Sequence, residues 1–221
     1  YLKADKLKPI EFEFPKISVT GTENLMMAAV FTKGKTTLKN CAKEPEVVEL
    51  ANFLNKCGAS IHGAGESTIE ITGVDSLGSV EWDVLFDRIE AGTYLVAGAI
   101  TNGHITVKKI EPKTIQVLTN KLIEMGVHVS YGENWVEADA TSSEITCVDI
   151  GTEPFPGFPT DMQAQFMALN TIATGSCTIE ETVFENRFQH VSQLRKMGAD
   201  IVLSKNLSLI HISEPTRRTS I

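Results

Sequence analysis

Two short segments hold residue types that can do chemistry. Residues 155–166 read Phe-Pro-Gly-Phe-Pro-Thr-Asp-Met-Gln-Ala-Gln-Phe. Two prolines stiffen a loop that runs into a helical pattern, and Asp161 stands where the loop ends. A carboxylate presented so rigidly can accept a hydroxyl proton. On spacing alone, Thr160 or Asp161 can equally cap the helix that follows. Residues 181–188 read Glu-Thr-Val-Phe-Glu-Asn-Arg-Phe, and Arg187 offers a planar fork for a carboxylate or phosphate. The alternative there is a turn with a surface arginine.

Three cations stand beside expected helix starts. Arg88 follows Asp87 and Arg187 follows Asn186, both expected N-caps, while Lys16 precedes the Thr20-Gly21-Thr22 run that opens the first helix. A helix N-terminus carries about +0.5 of an elementary charge, so a cation there is disfavoured unless an anion lies between. Three such cations point to an anionic ligand.

The elements that position these residues come from an internal repeat. Gly-x-x-Thr-aliphatic occurs at Gly34, Gly103 and Gly175, and Leu-x-x-x-Gly-[Ala/Val]-x-[Ile/Val] follows with its glycine at Gly58, Gly126 and Gly198. Those paired glycines are 24, 23 and 23 residues apart. An apolar helix runs into each first glycine, which suits a left-handed C′ position; the third of these carries Phe166, Met167, Leu169 and Ile172. A β-branched strand and a second amphipathic helix come next, with Val47, Leu50, Ala51 and Leu54 in the first repeat and Ile115, Leu118, Leu122 and Met125 in the second. Pro45 and Pro112 suit the first position of that helix. Alternating strands at 67–72 and 135–138 complete a helix–strand–helix–strand–strand unit. The expectation is an α/β (α+β) chain, with neither a dinucleotide-binding nor a Walker fingerprint.

Composition narrows the function classes. With 20 Lys and Arg against 28 Asp and Glu, the chain is acidic at −8, which disfavours nucleic acid and anionic membranes as partners. No apolar run approaches the roughly 20 residues of a spanning helix. Cys41, Cys57, Cys147 and Cys177 form no metal-ligand spacing and read as buried free thiols in a reducing cytoplasm, so no metal is expected. The chain opens on Tyr1 rather than Met and reads as a piece of something longer. Residues 207–221 break the repeat grammar and are set apart as a non-native tail, although 207–212 can pass as a strand.

Residues 20–29, 44–48, 87–93, 158–166 and 181–188 together resemble the enolpyruvyl transferase family, and within it the branch acting on UDP-N-acetylglucosamine. The resemblance covers about residues 1–206. It implies an inside-out α/β barrel built from repeated βαβαββ units, with residues 1–85 finishing one domain and residues 86–206 beginning the next. It places the active site in a cleft between the two domains. The implied reaction moves the enolpyruvyl group of phosphoenolpyruvate to the 3-hydroxyl of UDP-N-acetylglucosamine and releases phosphate, the first committed step of peptidoglycan synthesis, without a cofactor.

By the same resemblance, Asp161 contacts the sugar 3-hydroxyl as base and Arg187 serves the phosphoenolpyruvate end. Lys16, Ile17, Ser18, Val19 and Thr20 hold the uridine diphosphate, and Val183 touches the nucleotide sugar. Glu44, Glu46 and Arg88 line the cleft rim. The family's reactive cysteine loop belongs upstream of Tyr1 and its remaining anion-binding arginines downstream of Asn206, so the chain alone is expected not to turn over. Two alternatives stay open: another enolpyruvyl transferase, such as the shikimate-pathway enzyme, and an inactive paralogue that binds nucleotide sugar.

Overall fold

The computed structural model describes residues 6–211. The chain divides into two compact units, residues 1–85 and 86–221. The first contains β1 (Glu11–Glu13), α1 (Val19–Val30), β2 (Lys35–Lys39), α2 (Pro45–Lys56), β3 (Ser60–His62) and β4 (Thr68–Thr72). The second contains α3 (Arg88–Ile100), β5 (His104–Lys108), a 3-10 turn (Pro112–Ile115), α4 (Gln116–Glu124), β6 (His128–Tyr131) and β7 (Trp135–Asp139). It continues with β8 (Ile150–Gly151), a second 3-10 turn (Thr160–Met162), α5 (Gln163–Asn170), β9 (Ser176–Glu180), α6 (Val191–Lys196), β10 (Asp200–Ser204) and β11 (Leu207–His211).

The repeat is realised as topology. The first unit's sheet runs β1-β2-β4-β3, with β1 parallel to β2 and antiparallel pairing beyond. The sheet built from the third repeat runs β8-β9-β11-β10 with the same pattern of directions. Both are complete βαβαββ units. The middle repeat gives only β5-β7-β6, because residues 73–87, which approach it, form no strand. The expected leading strand is therefore absent from this copy.

Glycine closes the second helix of every repeat in one way. Gly58, Gly126 and Gly198 have φ of +106°, +94° and +101° and donate to Asn55, Ile123 and Arg195 carbonyls, while the next residue donates to Leu54, Leu122 and Leu194. This paired closure satisfies carbonyls that the helix end leaves open. The first glycines of the repeat behave differently. In the second copy the left-handed residue is Asn102, and Gly103 instead donates to the Gly98 carbonyl at 2.8 Å. Gly34 and Gly175 do have positive φ, but they lie beyond the C-cap residues Phe31 and Thr171.

Each unit has its own core. In the first, Met26 and Val30 of α1 and Val47, Ala51 and Leu54 of α2 pack on Leu38, Ile69 and Ile71 of the sheet. In the second, Ile115, Leu118, Leu122 and Met125 are all buried, as their helical spacing implies, and join Leu95, Phe166 and Met167. Ile172 lies past the end of α5 and is exposed. Cys41 and Cys177 are buried, but Cys57 and Cys147 are only half-buried, so the expectation of four buried thiols is corrected for those two. Burial pushes the Cys41 thiol up; burial and the neighbouring Cys147 thiol do the same to Cys177. Among the described residues no helix is long and apolar enough to cross a membrane.

β11 lies between β10 and β9, with Ser208 and Ile210 buried, so the run at 207–211 is a strand of the sheet. Residues 212–221 lie outside the described residues.

Gly92, inside α3, marks a close approach. A Cβ there meets Leu118 Cδ1 at 2.7 Å and Met162 Cε at 3.0 Å, and both of those side chains are buried. Helix propensity alone favours Ala over Gly by about 1 kcal/mol. The overpacking instead costs about 1–3 kcal/mol. Gly92→Ala is therefore expected to lower stability, and a denaturation midpoint above wild type would contradict this packing.

Candidate active site

Apart from Arg88, which no strand precedes in its repeat, the candidate residues fall at one end of their sheets. Lys16, Ile17, Ser18, Val19 and Thr20 follow β1, and Glu44 and Glu46 follow its parallel neighbour β2. Asp161 follows β8, and Val183 and Arg187 follow its parallel neighbour β9. Loops outside the carboxyl ends of parallel strands are where open α/β sheets bind ligands.

In the first unit Ser18 caps α1: its side-chain oxygen accepts from the Gly21 N–H at 3.1 Å, and its carbonyl accepts from the Thr22 hydroxyl at 2.8 Å. The helix thus starts at Val19, ahead of the Thr20-Gly21-Thr22 run. Lys16, Ile17 and Thr20 are exposed beside this start. Glu44 is the N-cap residue of α2 and is buried, and Glu46 lies in the helix's first turn. Both press on Glu23 of α1, whose carboxyl is pushed up by burial and then by the charges of Glu46 and Glu44.

In the second unit Asp87 caps α3 as its spacing suggests, accepting from the Ile89 and Glu90 N–H groups at 2.8 and 3.0 Å. Arg88, the first residue of that helix, stacks on the Phe155 ring at 5.7 Å. Asp161 lies in the 3-10 turn leading into α5, and neither it nor Thr160 caps a helix with its side chain. The Asp161 carboxylate instead accepts from the Arg187 guanidinium in a partly exposed ion pair. The same guanidinium lies over the Phe184 ring at 5.0 Å. Asn186 is no N-cap: its φ is +57°, it sits in a turn, and α6 starts only at Val191. Arg187 is therefore not at a helix start like Arg88; it reaches from its own loop to the entrance of α5. Phe184, Glu185, Asn186, Arg187, Gln189 and His190 line an open pocket of about 470 Å³. Burial, with the nearby Arg187 charge, holds the His190 imidazole below its usual range.

Glu181 joins the two loops, although neither spacing nor resemblance put it among the candidates. It is 2% exposed. One carboxylate oxygen accepts from the Val183 and Phe184 N–H groups at 3.0 and 2.9 Å. The other accepts from the Thr160 hydroxyl at 2.8 Å and the Gln163 amide at 2.9 Å. Burial pushes this carboxyl up, but hydrogen bonds from Phe184, Thr160, Thr152 and Val183 together hold it below its ordinary 4.5. Its stabilising contribution is present above that ordinary value and is lost as pH falls through the folded-state one. The Tm of the full-length protein, followed from neutral pH down to about pH 3, should therefore fall more steeply in wild type than in Glu181→Gln.

The site can thus offer an exposed carboxylate, an adjacent guanidinium fork and a pocket beside them. Comparison with known proteins agrees with the topology. The family profile described as EPSP synthase (3-phosphoshikimate 1-carboxyvinyltransferase) matches residues 1–220. A UDP-N-acetylglucosamine 1-carboxyvinyltransferase from Coxiella burnetii strain Dugway 5J108-111 is 54% identical over 209 residues, covering 95% of this chain and 48% of the relative. The chain spans about half the length of the curated relatives it matches. Among solved structures, the enolpyruvyl transferase NikO from Streptomyces tendae superposes with a TM-score of 0.81 at 22% identity, over 94% of this chain and 52% of its own. An EPSP synthase from Acinetobacter baumannii gives 0.64 at 18% identity, over 95% and 50%. These structures share the fold; the profile and the 54% identity carry the kinship, and the chain belongs to the EPSP synthase family of enolpyruvyl transferases.

Proposed function

We propose that this chain is part of an enzyme that transfers the enolpyruvyl group of phosphoenolpyruvate to the 3-hydroxyl of UDP-N-acetylglucosamine. The observation that carries this is the Asp161–Arg187 pair on two loops at the carboxyl ends of β8 and β9, in a chain 54% identical to relatives bearing that activity's name. The reaction has two stages. The sugar oxygen bonds to the central carbon of phosphoenolpyruvate while the methylene carbon gains a proton, giving a tetrahedral ketal. The carbon–oxygen bond to phosphate then breaks, and the new methyl group loses a proton to restore the double bond.

Asp161 accepts the hydroxyl proton as the sugar oxygen attacks. Arg187 holds the anionic end of phosphoenolpyruvate and meets charge as it develops on the leaving phosphate. Lys16 and the segment through Thr20 hold the diphosphate, where an exposed cation and the start of α1 suit an anion. Val183 contacts the nucleotide sugar, and Glu44, Glu46 and Arg88 border the site. We place the activity in the cytoplasm, at the first committed step of peptidoglycan synthesis.

A phosphate-release assay on the full-length enzyme carrying this segment tests the reading. Release is expected with phosphoenolpyruvate plus UDP-N-acetylglucosamine and not with shikimate 3-phosphate as acceptor. Release with shikimate 3-phosphate alone would make this another enolpyruvyl transferase. Nucleotide-sugar binding without release in either mixture would make it an inactive paralogue.

A further inference from the structure

The geometry points to Glu181 as the positioning residue that sets where Asp161 and Arg187 stand relative to each other. This rests on the proposed roles of those two residues. Asp161 and Arg187 are 26 positions apart in sequence and sit on separate loops, with side chains 55% and 35% exposed. An exposed ion pair is a weak restraint. The geometry therefore needs a stronger element behind it.

Glu181 has the required reach and placement. One oxygen fixes the backbone at Val183 and Phe184, where the Arg187 loop begins. The other fixes Thr160 and Gln163, which flank Asp161. One buried carboxylate thus spans both loops, and bonds to an ionised acceptor are about twice as strong as neutral ones. Gln163 adds a second sign of dependence. Its amide nitrogen donates to Glu181, while its buried amide oxygen has no hydrogen-bond partner among the described residues, so Glu181 orients that side chain.

Glu181 is buried and acts only through where Asp161 and Arg187 stand, so its effect should appear chiefly in turnover. Misplacing a reacting group by about 1 Å can cost on the order of 100-fold in rate. In the full-length enzyme, Glu181→Gln is expected to lower kcat by about 10- to 100-fold, with each KM within about threefold of wild type. The fold should survive, because the Gln163 amide can turn its unpartnered oxygen toward the new amide nitrogen. Thr160→Val, which removes only the hydroxyl strut, should lower kcat in the same way and add little in the Glu181→Gln background.

Wild-type kcat in Glu181→Gln, or rate losses that simply multiply in the double variant, would overturn the positioning role. If Glu181→Gln fails to fold, Thr160→Val decides: lowered kcat at unchanged KM supports the role and wild-type kcat overturns it. Asp161→Asn, run alongside, separates the two levels. Wild-type kcat there removes the proposed reading of the pair, whereas an inactive Asp161→Asn beside a fully active Glu181→Gln removes only Glu181.

Discussion

Asp161→Asn in the full-length enzyme should lower kcat by about 10²- to 10⁴-fold, the usual contribution of a positioned general base. The substitution keeps the side chain's shape and removes its basicity. Stability should change little. The pair with Arg187 is partly exposed, and the guanidinium left behind can be hydrated and still rests on the Phe184 ring. Glu124→Ala is the matched control. Glu124 is exposed on α4 and pairs with Lys121 at 2.8 Å, far from either candidate loop in sequence, so its removal should leave kcat unaltered. Steady-state kinetics on both variants, with Tm recorded for each, decide the matter. Equal activity in the two would take Asp161 out of the mechanism.

Arg187→Lys should also lower activity, by a smaller factor, although it conserves charge. The guanidinium does two things at once in this structure: it donates to Asp161 and lies over the Phe184 ring, 5.0 Å from its centroid. A lysine ammonium is a compact point charge without the fork, and it cannot stack in that way. Losing a charged hydrogen bond is worth about 1.5–3 kcal/mol, or roughly 10- to 100-fold in kcat/KM. The loss should appear when phosphoenolpyruvate is varied and be small in the KM for UDP-N-acetylglucosamine. Unaltered kinetics with phosphoenolpyruvate would place Arg187 outside the reacting centre.

Much of the architecture was legible in residue order because repeats and periodicity are local. The three Leu-x-x-x-Gly patterns mark helix closures that recur with the same hydrogen bonds, and the spacing of Ile115, Leu118, Leu122 and Met125 marks a buried face. Asp161 and Arg187 stood out by residue type within dense loops. Their contact was hidden, since 26 positions separate them and it takes the parallel pairing of β8 and β9 to bring the loops together. Asn186 misled because asparagine suits both an N-cap and a left-handed turn, and spacing does not separate the two. Glu181 did leave a trace. Cys177 and Ile179 are the buried residues of β9, and period two carries that inward face on to position 181. A carboxylate at an inward position asks for partners, and Val183, Phe184, Thr160 and Gln163 all donate to Glu181.

The nearly constant spacing between paired glycines fixes what the long loop at 181–190 displaces. α2 has 12 residues and begins after a five-residue connection at 40–44, whereas α6 has six and begins after ten residues at 181–190. The third repeat therefore has more loop and less helix than the first at nearly the same spacing. Arg187 occupies what would be the opening turns of a helix that never winds there, and Asn186, at φ +57°, holds the backbone out of the right-handed form. Substitutions that raise helix propensity across 185–190 would work against the site even if they strengthened the segment itself. In this repeat, helix formation and the Asp161–Arg187 contact pull in opposite directions.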